Sequence, residues 1–154
     1  MPSTKPALPV DDLPVRTGSG YPSPHDVPCR QRRRRALGDA FGLSQFGVNL
    51  LELPPGTWSS QRHWHERQDE FVYVLEGEVT LVTNEGETVL KPGMVAGFRA
   101  GEANGHHLVN RSNAVVRVLE MGTRTVEETA RYPDIAMMYR EGEGYLTADG
   151  RPLK

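Results

Sequence analysis

The chain has 154 residues and a formal net charge of −2, so no overall field draws it to nucleic acid or a membrane. It is 37% hydrophobic and 25% charged, the make-up of a single soluble globular domain. The one cysteine, Cys29, excludes an intrachain disulfide and a cysteine-built metal site.

No apolar run resembles a signal peptide or reaches the roughly 20 residues of a membrane helix, so a cytoplasmic protein is expected. Residues 1 to 30 hold seven of the twelve prolines. Proline fixes φ and lacks an amide donor, so this segment forms neither a continuous helix nor a central strand. With the run Gln31 to Arg35 (QRRRR) it is predicted to be a Pro/Arg-rich N-terminal arm over 1–35, the arginines forming a solvated basic patch. His25 lies in this arm and is expected to be exposed.

From Ala36 the chain becomes strand-like. FGLSQFGVNLLEL ends at the turn Pro54-Pro55-Gly56. FVYVLE, GEVTLVT, TVL, HHLVN and AVVRVLEMGT follow, with turn signals at Asn84–Glu87, Lys91–Gly93 and Asn110–Asn113. Short strands at roughly ten-residue spacing argue for an all-β sandwich or barrel over 36–123. The remaining 124–154 is predicted to pack on the barrel. In it, Val126 to Ala130 is read as one helical turn and the end as a small hairpin around Ala148-Asp149-Gly150.

The chemistry concentrates between Gly56 and Gly77. His63 and His65 are one residue apart and share a strand face, because side chains alternate with period two. Glu70 follows after a turn and opens the next strand, so a hairpin brings two imidazoles and a carboxylate together. That donor set suits zinc, iron, nickel or manganese better than calcium, which prefers oxygen alone. By the same alternation Gln61 shares the face of His63, and Val72 that of Glu70. His106, Leu108 and Asn110 share one face of their strand, and His107 lies on the other.

These residues resemble the cupin superfamily. The first cupin motif is matched by His63-Trp64-His65, Glu70 and Gly77, with one extra residue between Gly56 and His63. The second is matched less closely by Arg99 to Asn110. Arg99 stands where the family has proline, and His106 keeps its spacing to Asn110 but lies two residues further from Gly101. The fourth ligand is assigned to His106, with His107 and Asn104 as alternatives. SQRHWH, DEFVYVLEGE, ANGHHLVNRS and RYPDI are similar to small single-domain bacterial cupins.

The resemblance implies an antiparallel β-barrel (a double-stranded β-helix or jelly roll), a divalent transition metal near one mouth, and a homodimer. It implies a metal-dependent enzyme acting on a small molecule, of the dioxygenase, isomerase or lyase type, or alternatively a metabolite-sensing module without catalysis. The expected partners are a small-molecule ligand and a second copy of the chain, with neither nucleic acid nor membrane. The pocket candidates are Gln61, Val72, Asn104, His107, Asn110 and Arg99, the last read first as an exposed turn arginine, with a carboxylate or phosphate contact as the alternative.

Overall fold

The computed structural model describes residues 1–153. Its strands in chain order are β1 (Arg16–Thr17), β2 (Arg33–Ala36), β3 (Phe46–Leu53), β4 (Trp64–His65), β5 (Glu70–Glu76), β6 (Val79–Thr83), β7 (Gly86–Leu90), β8 (Val95–Phe98), β9 (His107–Val109), β10 (Val116–Thr123), β11 (Thr129–Tyr132), β12 (Met137–Arg140) and β13 (Gly144–Thr147). The largest sheet runs β1-β2-β3-β10-β5-β8. A second runs β13-β12-β11-β4 and a third β7-β6-β9, with every pairing antiparallel. This is an all-β jelly-roll barrel, as the spacing of strands and turns predicts. No helix among the described residues is long and apolar enough to cross a membrane.

The strands form where apolar and polar residues alternate, and the alternation decides what faces inward. β3 and β10 pair over eight residues, from Val116 opposite Leu53 to Thr123 opposite Phe46. Their inward residues Leu51, Leu53, Val116 and Val118 meet Val72 and Val74 of β5, Val79 of β6, Leu90 of β7 and Leu108 of β9 in one core. Each such side chain, fully buried, contributes about 1.5–3 kcal/mol. A smaller cluster of Ala130, Tyr132 and Met137 packs with Tyr21, Ile135 and Tyr145.

Further along the same strands the inward residues change character. Gly47 and Asn49 precede Leu51 on β3. Glu120 and Gly122 follow Val118 on β10, and Glu70 precedes Val72 on β5. These line a cavity of about 580 Å³. The sheet thus has a filled apolar end and an open polar end.

The arginine run differs from the solvated patch its composition suggests. It is strand β2, a full member of the largest sheet. Arg35 reaches Glu52 at 2.6 Å on the outer face. Arg34 turns inward to Glu120 at 3.0 Å. Arg32, just before the strand, is buried and donates to the carbonyls of Gly18 and Ser59. Neutralisation by acidic residues 17 and 86 positions away in sequence makes a basic strand tolerable, and no local pattern reports it. The expected helical turn at Val126–Ala130 is also replaced, because Thr129 begins β11 and pairs with β12. At the end, the chain turns at Ala148–Gly150 and Pro152 returns beside Leu146, as the small hairpin predicts.

Candidate metal centre

His63 and His106 face each other across a two-way backbone bridge. The His63 amide donates to the His106 carbonyl at 3.1 Å, and the return bond is 2.9 Å. Residues paired this way project to the same side, which carries both imidazoles to the cavity. Glu70 enters from the start of β5, where its β10 neighbour is Gly122. A Cβ on Gly122 would lie 3.2 Å from the Asp69 carbonyl and 3.9 Å from the Glu70 side chain, so glycine leaves the carboxylate its room.

His63, Glu70 and His106 each offer a ligand atom within 4.8 Å of the others. Glu70 Oε1 lies 3.4 Å from His63 Nε2 and 3.2 Å from His65 Nε2, and Oε2 contacts His106 Nε2. Phe98 stacks flat on His106 with ring centroids 3.5 Å apart.

The outward nitrogens fix how the rings are used. His63 Nδ1 lies 2.9 Å from the Gln61 carbonyl, and His106 Nδ1 lies 2.9 Å from the Asn104 carbonyl. His65 Nδ1 lies 3.1 Å from Glu128 Oε1. Carbonyls and carboxylates only accept, so each Nδ1 carries a proton. In the neutral rings each Nε2 then turns a lone pair toward the Glu70 carboxylate. Acceptors facing acceptors need a positive charge between them, either added protons or a cation. Outer nitrogens held by carbonyl or carboxylate are the usual support of metal-ligating histidines. The residues therefore fit a divalent metal. His63, Glu70 and His106 would hold it, with His65 beside them.

The electrostatics agree. Burial pushes the Glu70 carboxyl up, but His63, His106 and His65 outweigh it and hold the group well below the usual range. Burial pushes His65 down, yet Glu70 and Glu128 prevail and raise it.

The other predicted residues divide. Val72 lines the cavity. His107 lines it too, as wall: its Nδ1 donates to the Ser60 carbonyl at 2.8 Å and its ring stands edge-on to Trp58. Burial lowers its pKa. Four candidates lie elsewhere. Gln61 donates to the His25 carbonyl, because Ser59 to Arg62 bend irregularly and strand alternation does not reach back to it. Asn104 caps a surface turn, bonded to Asn84 and Glu85, and only its carbonyl serves the site through His106. Asn110 is wholly buried beneath the turn it opens, bonded to Leu53, Ser112 and Ala114. Arg99 is an exposed turn residue paired with Glu102.

Sequence reasoning missed several contributors. Glu128 is buried and receives His65 Nδ1 together with the amides of Glu66 and Arg67. Nothing in its neighbourhood, VEETA, separates it from a surface acid. Tyr21, Tyr132 and Tyr145 line the cavity, and the Tyr132 ring lies 5.7 Å from His63. Burial raises the pKa of both Tyr21 and Tyr132, so their hydroxyls stay protonated and able to donate. RYPDI, which contains Tyr132, was the available signal.

A jelly-roll barrel with a histidine–carboxylate cluster at one mouth defines a cupin-type protein. The family model described as a cupin domain matches residues 49–122. A structure described as a sugar phosphate isomerase of the cupin superfamily, from Silicibacter pomeroyi, is 47% identical over 97% of both chains, with a TM-score of 0.92. A putative sugar phosphate isomerase from Acidithiobacillus ferrooxidans is 31% identical over 80% of this chain and 81% of its own, with a TM-score of 0.72. A predicted oxalate decarboxylase from Thermotoga maritima shares the fold at 20% identity, covering 76% of this chain and 97% of its own, with a TM-score of 0.59. No curated protein matches the chain. The chain belongs to the cupin superfamily.

Proposed function

We propose that the protein is a metal-dependent isomerase of a phosphorylated sugar. The observation that carries this reading is the donor cluster of His63, Glu70 and His106 opening onto a cavity of about 580 Å³ rather than closing around a buried ion. A cavity of that volume has the size of a small-molecule site. The similarity at 47% identity to a protein described as a sugar phosphate isomerase supports the substrate class.

The lining suits the chemistry. Isomerisation takes a proton from the carbon beside a carbonyl and returns one to the neighbouring carbon, so atoms balance without an oxidant or reductant. A divalent cation bound at the cluster would supply Lewis-acid polarisation of the substrate carbonyl. Burial keeps the Tyr132 and Tyr21 hydroxyls protonated; Tyr132 donates to Tyr21, which leaves the Tyr21 hydroxyl to donate to a substrate oxygen. Four arginines against two carboxylates line the cavity, which favours an anionic substrate.

The test is direct. Metal-free protein would be loaded in turn with Mn, Fe, Zn and Ni under reducing conditions and given a panel of aldose and ketose phosphates in D₂O. Aldose–ketose conversion followed by NMR, lost in Glu70→Gln, is the expected result. Stabilisation by the sugars with no conversion under any metal would refute the isomerase reading and favour a metabolite-binding module.

A further inference from the structure

We propose that Arg16 and Arg34 form an anion subsite on the far side of the cavity from the histidine–glutamate cluster, and that it holds the phosphate of the substrate. The assignment to a substrate phosphate rests on the reading above. The subsite itself rests on β1 and β2.

Arg16 and Arg34 are register partners in the antiparallel pair β1–β2. Directly opposed side chains share a face and stand roughly 5 Å apart at Cβ. Both line the cavity. Like charges placed directly opposite each other destabilise a sheet, and an anion between them would reverse the sign of that contact.

The two differ from the other cavity arginines in how they are occupied. Arg32 is committed to the Gly18 and Ser59 carbonyls. Arg124 is committed to Asp39 and the Leu43 carbonyl. Arg34 has only its Nε near Glu120, at 3.0 Å but poorly aligned for a hydrogen bond, so the contact is chiefly Coulombic. Its two terminal nitrogens stay available. Arg16 makes no ion pair among the described residues and is exposed at the mouth. Two guanidinium forks presenting terminal N–H groups are the usual match for phosphate oxygens.

Independent observations point to the same place. Ser19 Oγ lines this cavity and is buried without a hydrogen-bond partner. A buried hydroxyl without a partner costs about 1–3 kcal/mol, a cost that a ligand oxygen would remove. The Tyr145 hydroxyl lies 4.0 Å from where a Cβ on Gly20 would stand. Tyr145 lines the same cavity, and burial raises the pKa of its hydroxyl, so that it stays protonated and able to donate.

Spacing fits a sugar phosphate. Glu70 on β5 and Arg34 on β2 are three strand spacings apart, roughly 14 Å between backbones. Their inward side chains shorten that gap to about the length of a small sugar phosphate. A ligand with its carbonyl end at the histidines would thus set its phosphate against β1 and β2.

The test is isothermal titration of the full chain, metal-free, with inorganic phosphate, a pentose 5-phosphate and the same pentose without phosphate. The first two are expected to bind and the third not. Arg16→Gln and Arg34→Gln should each weaken phosphate binding by at least about tenfold. Arg34→Lys, which keeps the charge and loses the fork, should fall between. Arg34→Gln also removes the Glu120 contact, so Arg16→Gln, on an exposed two-residue strand, is the decisive variant, with unchanged melting as its check on folding. No phosphate binding by the parent at about 10 mM, or equal binding by the parent and Arg16→Gln, would overturn the subsite. Arginine-dependent phosphate binding without sugar turnover would uphold the subsite and refute the isomerase reading. Turnover indifferent to both arginines would do the opposite.

Discussion

Asn110 offers the sharpest separation between a ligand-site role and a structural one. Its place beside His106 on a strand suggests the pocket, yet it is wholly buried under the turn at 110–114. Nδ2 donates to the Leu53 carbonyl at 2.7 Å and to the Ala114 carbonyl at 2.8 Å. Oδ1 accepts from the Ser112 amide at 2.9 Å and its hydroxyl at 2.7 Å. Asn110→Ala removes all four. At about 1 kcal/mol each, the loss is ~4 kcal/mol, which for a chain of this size lowers the melting temperature by roughly 8–16 °C. Asn110→Asp preserves shape but loses both donors and sets a carboxylate against two carbonyls. That raises the folded-state pKa of the new group above its unfolded value of about 3.9. The native state then holds more protons than the unfolded state between the two values, so the stability of Asn110→Asp falls as pH rises through that window. The assay is urea denaturation at several pH values, with metal binding measured in parallel. A loss below about 1 kcal/mol for Asn110→Ala, or loss of metal affinity with stability intact, would refute this reasoning.

Chelation of metal-loaded protein should lower its melting temperature. At metal concentrations near 1,000 times Kd the contribution is about 4 kcal/mol, while the strand spectrum in circular dichroism persists because the apolar core stands without the metal. An unmoved melting curve would count against the centre. Glu128→Ala should weaken metal affinity by about 10–100-fold through loss of the His65 support, measured by competition with a chelating dye; equal affinity would remove Glu128 from the site. The outer face of β5 and β8 exposes Phe71, Tyr73, Leu75 and Val95, an apolar surface of the kind that pairs with another. A homodimer through this face is expected, and Tyr73→Glu should convert it to monomer in light scattering behind size exclusion. A parent that is already monomeric would end that idea.

The barrel was legible because its strands alternate inward and outward residues and its turns carry Gly, Pro and Asn. The first metal motif was legible from the spacing of His63, His65 and Glu70, although β4 and β5 lie in different sheets and do not form the hairpin expected from the sequence. The choice of His106 over His107 was made from sequence only on the face it shares with Asn110, and the geometry that brings His106 to the cluster was not legible. It depends on the backbone bridge between His63 and His106, a contact between residues 43 positions apart. Gln61 misled because alternation was extended into a bend. Arg34 and Glu128 were invisible because their partners, Glu120 and His65, are distant in sequence. A charge reads as surface until the group that satisfies it is known.

The distribution of these residues also bears on how the family diversifies. The segment matched as a cupin domain, 49–122, contains His63, His65, Glu70 and His106. It contains neither Arg16 nor Arg34, nor Tyr21, Tyr132 or Tyr145. Within the matched segment, Glu70 continues β5 directly from the core residues Val72 and Val74, and His63 and His106 are joined by their own backbone bridge, so the cluster is anchored next to the apolar core. The flanking segments add edge strands that complete the cavity wall, and these can vary without disturbing that core. On the reading developed above, the barrel supplies the metal chemistry and the flanks choose what is brought to it. Likeness confined to the barrel then carries the fold, whereas the 97% coverage shared with the Silicibacter pomeroyi protein extends over the flanks as well. That is why this relative bears on the substrate while the more distant barrels bear on the fold alone.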